Sequence, residues 1–122
     1  MSTNAIIAHY SEETGQVVSS YCHYDGYPEG VGSVLASYYN NAHDAESVAL
    51  VGYVSALKAD MVQSVAESAN HDAPVEYESL DQFLGDMKEC GWIEYVYLWC
   101  ESGWKVLSAI HPVFPLSANR VL

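Results

Sequence analysis

In Trp92-Ile93-Glu94-Tyr95-Val96-Tyr97-Leu98-Trp99-Cys100, large apolar and aromatic residues follow one another with a period of two. Successive side chains of a strand point to opposite faces, so Tyr95, Tyr97 and Trp99 share one face and Glu94, Val96 and Leu98 the other. Glu101-Ser102-Gly103 supplies a turn before Trp104 to Ile110, which reads as the returning strand of a β-hairpin. Toward the N-terminus the pattern recurs. The apolar stretch Ala5 to Tyr10 is followed by Ser11-Glu12-Glu13-Thr14-Gly15 and then by Gln16 to His23, rich in β-branched and aromatic residues, which predicts another hairpin.

Between the hairpins the period changes. Val31, Val34, Leu35, Tyr38 and Tyr39 fall at i, i+3, i+4, i+7 and i+8 and predict a helix ended by Asn40-Asn41. A short helix follows from about Asp44 to Val51, with Gly52 as its stop. Val54, Leu57, Met61, Val62, Val65 and Ala69 keep helical spacing up to Asn70-His71-Asp72-Ala73-Pro74, and Val75-Glu76-Tyr77 suits a short strand. Ser79-Leu80-Asp81-Gln82 matches a capping box, in which each polar side chain satisfies a backbone N–H left over at the helix start. Leu80, Phe83, Leu84 and Met87 then line one face of a helix that Gly91 ends. The expected class is α+β: an antiparallel sheet of four or five strands from two terminal hairpins, with the helices packed on one face. Residues 1–110 form a single domain in this reading, and 111–122 a Pro-containing apolar tail. Pro112 and Pro115 exclude a helix or central strand there, so the tail lies across the core or reaches a second subunit.

Sixteen acidic residues against four basic ones give the 122-residue chain a net charge of −12. That balance argues against direct nucleic-acid binding, because there is no cationic surface to displace phosphate counterions. Neither a membrane span nor a secretory leader is expected from the apolar runs or from Met1-Ser2-Thr3-Asn4. Cys22, Cys90 and Cys100 are an odd set, which suits reduced thiols in a cytoplasm.

The densest chemistry lies in Tyr21-Cys22-His23-Tyr24-Asp25-Gly26-Tyr27-Pro28-Glu29-Gly30-Val31-Gly32. This segment resembles the Y-C-H-W-D-G-Y-P-x-G-V-G signature of a family of small phage and prophage proteins, with Tyr24 where tryptophan is usual. The likeness extends to the T-G turn of the first hairpin, the Leu35 to Tyr39 helix end, the Ser79 to Phe83 segment and the Trp92 to Trp104 hairpin. The resemblance implies a virus-encoded protein working in the cytoplasm of an infected bacterial host. It brings no established catalytic activity or cofactor. Small phage accessory proteins are often inhibitors of host defence or of host nucleic-acid enzymes, so the expectation by analogy is a host-defence inhibitor.

Each feature has a plainer reading. The carboxylates could imitate the charge of duplex DNA, or they could simply be a solvated acidic surface, and the sequence leaves both open. Cys22 and His23 are strand neighbours on opposite faces, so a catalytic pair would need His9 or another distant histidine; burial of Cys22 as a small apolar residue is the stronger reading. No C-x-x-C or H-x-x-x-H spacing points to a metal. Asp25 to Gly32 could be a ligand loop, yet Asp25 and Glu29 would oppose phosphate and suit a turn and a helix N-terminus better. Of the ten tyrosines and three tryptophans, those on the second hairpin are read as core; an exposed aromatic sheet face would instead mean a homodimer or a docking surface.

The expected function is therefore a non-enzymatic, cofactor-free protein that binds and inhibits a basic host protein, by nucleic-acid mimicry or by an acidic, aromatic surface. Tyr24, Asp25, Tyr27 and Glu29 are its expected binding residues. The alternative is a binder that sequesters a nucleotide-like signal.

Overall fold

The computed structural model describes residues 4–24, 26–54, 57–58, 73–89, 93–101, 103–107 and 120–121. It is an α+β fold. Strands β1 (Ala5–Tyr10) and β2 (Val17–Cys22) form the first hairpin, and β5 (Tyr95–Cys100) and β6 (Gly103–Leu107) the second. Gly15 and Gly103 take φ of 76° and 115° in the two turns, a region that costs a side-chain-bearing residue strain. The two hairpins lie side by side through their first strands, β1 and β5, which run parallel from Ala5↔Tyr95 to His9↔Trp99.

Three short strands complete the sheet: β3 (Tyr53–Val54) and β4 (Val75–Tyr77) share the outer edge of β2, parallel and antiparallel to it respectively, and β7 (Arg120–Val121) pairs with β6. Among the described residues the sheet thus has seven strands and is mixed, not the four or five antiparallel strands expected. Pairing between two distant hairpins leaves no local pattern, and strands of two or three residues are too short to show periodicity. Val54 belongs to β3, so the helix expected from that residue does not begin there; its continuation over 59–72 lies outside the described residues, as does the body of the tail over 108–119.

Helices cover both faces, which corrects the expectation of a single helical layer. Helix α1 (Ser33–Tyr38), entered through a wider π-helical turn over Pro28–Gly32, and α2 (Ala42–Ala49) pack on the face of Ala5, Ile7, Cys22, Tyr97, Trp99 and Trp104. Helix α3 (Leu80–Glu89) puts Phe83 and Met87 against Ile6, Ala8, Val17, Val96 and Leu98 on the other. The reason is visible in Ala5-Ile6-Ile7-Ala8, an unbroken apolar run whose residues are all buried: a strand covered on both sides need not alternate.

Local chemistry fixes the helix ends. Asn41 caps α2, its Oδ1 accepting the Asp44 N–H at 2.9 Å, three residues ahead of the expected start. Ser79 Oγ accepts the Gln82 N–H at 3.1 Å, as the capping box requires, while Gln82 Oε1 takes the N–H of Glu78, one residue earlier than that motif specifies. At the far end of α2, the buried Ser20 hydroxyl lies 2.7 Å from the Ala49 carbonyl and 2.9 Å from that of Val48, and accepts the Gly52 N–H at 2.8 Å. One β2 side chain thereby closes the helix and docks it on the sheet. Ser20→Ala leaves these buried groups short of a partner and is expected to cost about 1–3 kcal/mol in a urea titration. A loss below about 0.5 kcal/mol would contradict that role.

Candidate binding surface

At Cys22 the chain leaves the sheet and makes the segment that the sequence singles out. The His23 N–H donates to the Val54 carbonyl and the Cys22 thiol to the Tyr24 carbonyl, at 2.9 and 3.3 Å. From beneath, the hydroxyl of Tyr97, fully buried on β5, donates to the carbonyl of buried Gly26 at 2.6 Å. The Gly30 N–H donates to Tyr27 O at 2.9 Å and leads into the π-helical turn. Backbone held in this way presents its side chains in a fixed arrangement.

What it presents is aromatic. Tyr24 is 48% exposed and Tyr27 39%, and Glu29 is exposed just beyond in the π-helical turn, so three of the four expected residues are exposed along this short segment. Asp25 lies outside the described residues. The Tyr24 ring stands edge-on to His23, with centroids 4.4 Å apart. His23 in turn neighbours Tyr21 and Tyr53, at 5.8 and 6.4 Å, so the exposed ring is backed by a row of half-buried ones. Tyr21 Oη and His23 Nδ1 are hydrogen-bonded at 2.8 Å, and burial pushes the Tyr21 phenol above its ordinary value.

Sequence reasoning missed Tyr38, 59% exposed on α1. The spacing groups Tyr38 with Val31, Val34, Leu35 and Tyr39, of which Val31, Leu35 and Tyr39 are buried and Val34 is partly buried. Among the described residues of the second hairpin, Tyr97, Trp99 and Trp104 are buried and Tyr95 is partly buried against the same core.

Of the three cysteines, Cys22 and Cys100 fall among the described residues. Cys22 is buried, and Ala5 stands opposite it while Val18 stands opposite His9, at the far end of the same strand pair. Four residues of strand put His9 about 13 Å from Cys22, too far for a nucleophile and its base. Burial pushes the Cys100 thiol up, Lys105 opposing and Glu12 adding to the effect, so it is a poor nucleophile. No metal-binding group of His, Cys, Asp or Glu occurs among the described residues, and none of the described helices is long and apolar enough to cross a membrane.

Most of the described carboxylates lie away from the tyrosine loop. Glu76, Glu78, Asp81, Asp86 and Glu89 are exposed along β4 and α3, with Lys88 the cation among them. Glu12 and Glu101 meet at the two hairpin turns, where the hydrogen bond and the negative charge of Glu12 push the Glu101 carboxyl above its usual value. A folded-state value raised above the unfolded one contributes stability below the unfolded value, and that contribution is lost as pH rises through the folded one. Glu101→Gln keeps a donor for Glu12 and removes the repulsion. It is expected to melt higher than wild type at about pH 7 and to lose that advantage near pH 4, in paired thermal scans. A variant that melts lower at neutral pH would contradict the assignment.

Comparison with known proteins finds no matching family model, no matching curated protein and no matching solved structure.

Proposed function

We propose that this chain is a non-enzymatic phage accessory protein that binds and inhibits a host protein bearing a basic surface, in the cytoplasm of an infected bacterium. The observation that carries this reading is the braced loop: Tyr24 and Tyr27 stand exposed beside Glu29 on backbone pinned from inside by Tyr97. Tyrosine on rigid backbone gives a large amphipathic contact for little entropy and is enriched among interface hot spots. The viral setting rests on the resemblance of the Tyr21 to Gly32 motif.

The charge supports steering better than mimicry. Asp81, Asp86 and Glu89 span about 12 Å of helix, sparser than the ~3.4 Å between successive phosphates of one DNA strand. A net charge of −12 still accelerates encounter with a cationic partner at low salt.

Affinity capture from infected host lysate tests the proposal. A basic protein is expected to be retained at low salt and progressively released as ionic strength rises, because screening shortens the reach of surface charge. Retention of no basic protein, or retention indifferent to salt, would overturn the electrostatic part. A thermal shift with one member of a nucleotide panel would move the assignment to sequestration of a nucleotide-like signal.

A further inference from the structure

Trp99, His9, Val18 and Glu76 are successive cross-strand partners on β5, β1, β2 and β4. Partners in register share a face, and here it is the face covered by α2. Toward the hairpin turns α2 stops short of this row, and a hollow of about 220 Å³ remains. His9, Val18 and Glu76 line it from the sheet, and Glu46 and the half-exposed Leu50 from the end of α2. Ser11, Thr14 and Gln16 of the first hairpin turn close its rim.

From this lining we infer that the hollow is a binding site for a guanidinium group on an apolar stem, an arginine side chain presented by another protein. Size, charge and shape each narrow the choice. Pockets for drug-sized ligands run to roughly 300–1,000 Å³, so this one suits a single side chain. Two carboxylates and no lysine or arginine line it, which disfavours an anion, and His9, Glu46 and Glu76 do not form a metal-binding group. Leu50 and Val18 give the methylene stem an apolar wall. The carboxylates, the hydroxyls of Ser11 and Thr14 and the Gln16 amide oxygen are acceptors, and guanidinium offers five N–H donors in a planar fork, whereas an ammonium offers three.

The site is separate from the tyrosine loop. Five residues of β2 and the chain beyond it, from Val18 to His23, put about 17 Å between them, so either can fail without the other.

The test is an NMR titration of the full chain, in about 0.15 M salt to screen diffuse attraction, with N-acetyl-arginine amide, its lysine counterpart and the uncharged isostere N-acetyl-citrulline amide. Saturable shifts confined to the amides of His9, Ser11, Val18, Leu50 and Glu76 are expected with the arginine probe, at a Kd in the millimolar range. The lysine probe is expected to bind more weakly, and citrulline not at all. Glu46→Gln with Glu76→Gln is expected to weaken the arginine probe at least tenfold, while Asp81→Asn with Glu89→Gln, on the far face, leaves it unchanged. Absence of saturation, equal binding of citrulline, or equal effects of the two double variants would overturn the assignment. A short Gly/Ser peptide with a central arginine completes the series: tighter binding than the free amide supports a protein side chain as the source, and equal binding overturns that source in favour of a small guanidinium compound.

Discussion

Replacing Trp104 by alanine is expected to lower the unfolding free energy by about 3–5 kcal/mol, the range for truncating a large buried aromatic. Trp104 is buried on β6, opposite Trp99, with the two rings edge to face at 5.5 Å. Its indole N–H donates to the Tyr39 carbonyl at 3.0 Å, tying the second hairpin to the end of α1. Removing the ring opens a cavity between sheet and helix and takes a donor from that carbonyl. A domain of this size has a total stability of about 5–15 kcal/mol, so the variant should be marginal at 25 °C. Trp104→Phe separates the two contributions: it keeps most of the buried area and is expected to lose only about 1–3 kcal/mol, mainly from the missing hydrogen bond. Urea titrations followed by far-UV circular dichroism measure both. Equal losses would mean that the hydrogen bond, and not the volume, dominates.

The second large effect concerns binding and not folding. Tyr24→Ala with Tyr27→Ala is expected to weaken partner capture by at least about 100-fold, since tyrosines at the centre of an interface are often worth 2 kcal/mol or more each. Thermal stability should fall far less than in Trp104→Ala, because both rings are partly exposed and lie outside the buried core. Tyr97→Phe should behave differently. It keeps the buried ring but loses the 2.6 Å bond to Gly26, so it loosens the loop from beneath and reduces both stability and affinity. Loss of binding with only a small loss of stability in the double variant, and loss of both in Tyr97→Phe, is the signature of a docking loop braced from the core. If Tyr24→Ala with Tyr27→Ala captured the partner as wild type does, the contact would have to be elsewhere.

These two variants also mark what the sequence could and could not reveal. The hairpins were legible because their signals are local: the alternation of Tyr95 to Cys100 separates the residues of the two cores correctly, and Gly15 and Gly103 sit at positive φ. Half of the capping box at Ser79 and Gln82 was legible for the same reason, whereas α2 ends at Ala49, short of the stop expected at Gly52, which nonetheless takes a positive φ. The parallel pairing of β1 with β5 was not, because it joins residues about ninety positions apart and depends on how the two hairpins meet. The unbroken run Ala5 to Ala8 carried the one clue, since only a strand covered on both faces can bury every residue. In the candidate site, the exposure of Tyr24, Tyr27 and Glu29 followed from their place in a Gly- and Pro-containing link. The brace did not, for Tyr97 looks like any other inward residue of an alternating strand until Gly26 is brought over its hydroxyl. The hollow beside Glu46 and Glu76 was equally hidden, being assembled from the first hairpin, α2 and β4.

The partner is expected to touch the chain at the Tyr24 to Tyr27 loop. Amide hydrogen exchange, measured on the free protein and on its complex with the protein captured from host lysate, reads this out directly. Protection newly gained at residues 23–30, and lost again in the Tyr24→Ala, Tyr27→Ala double variant, is the expected result. A complex whose protection spares that loop, or a purified chain that turns over a substrate, would contradict it.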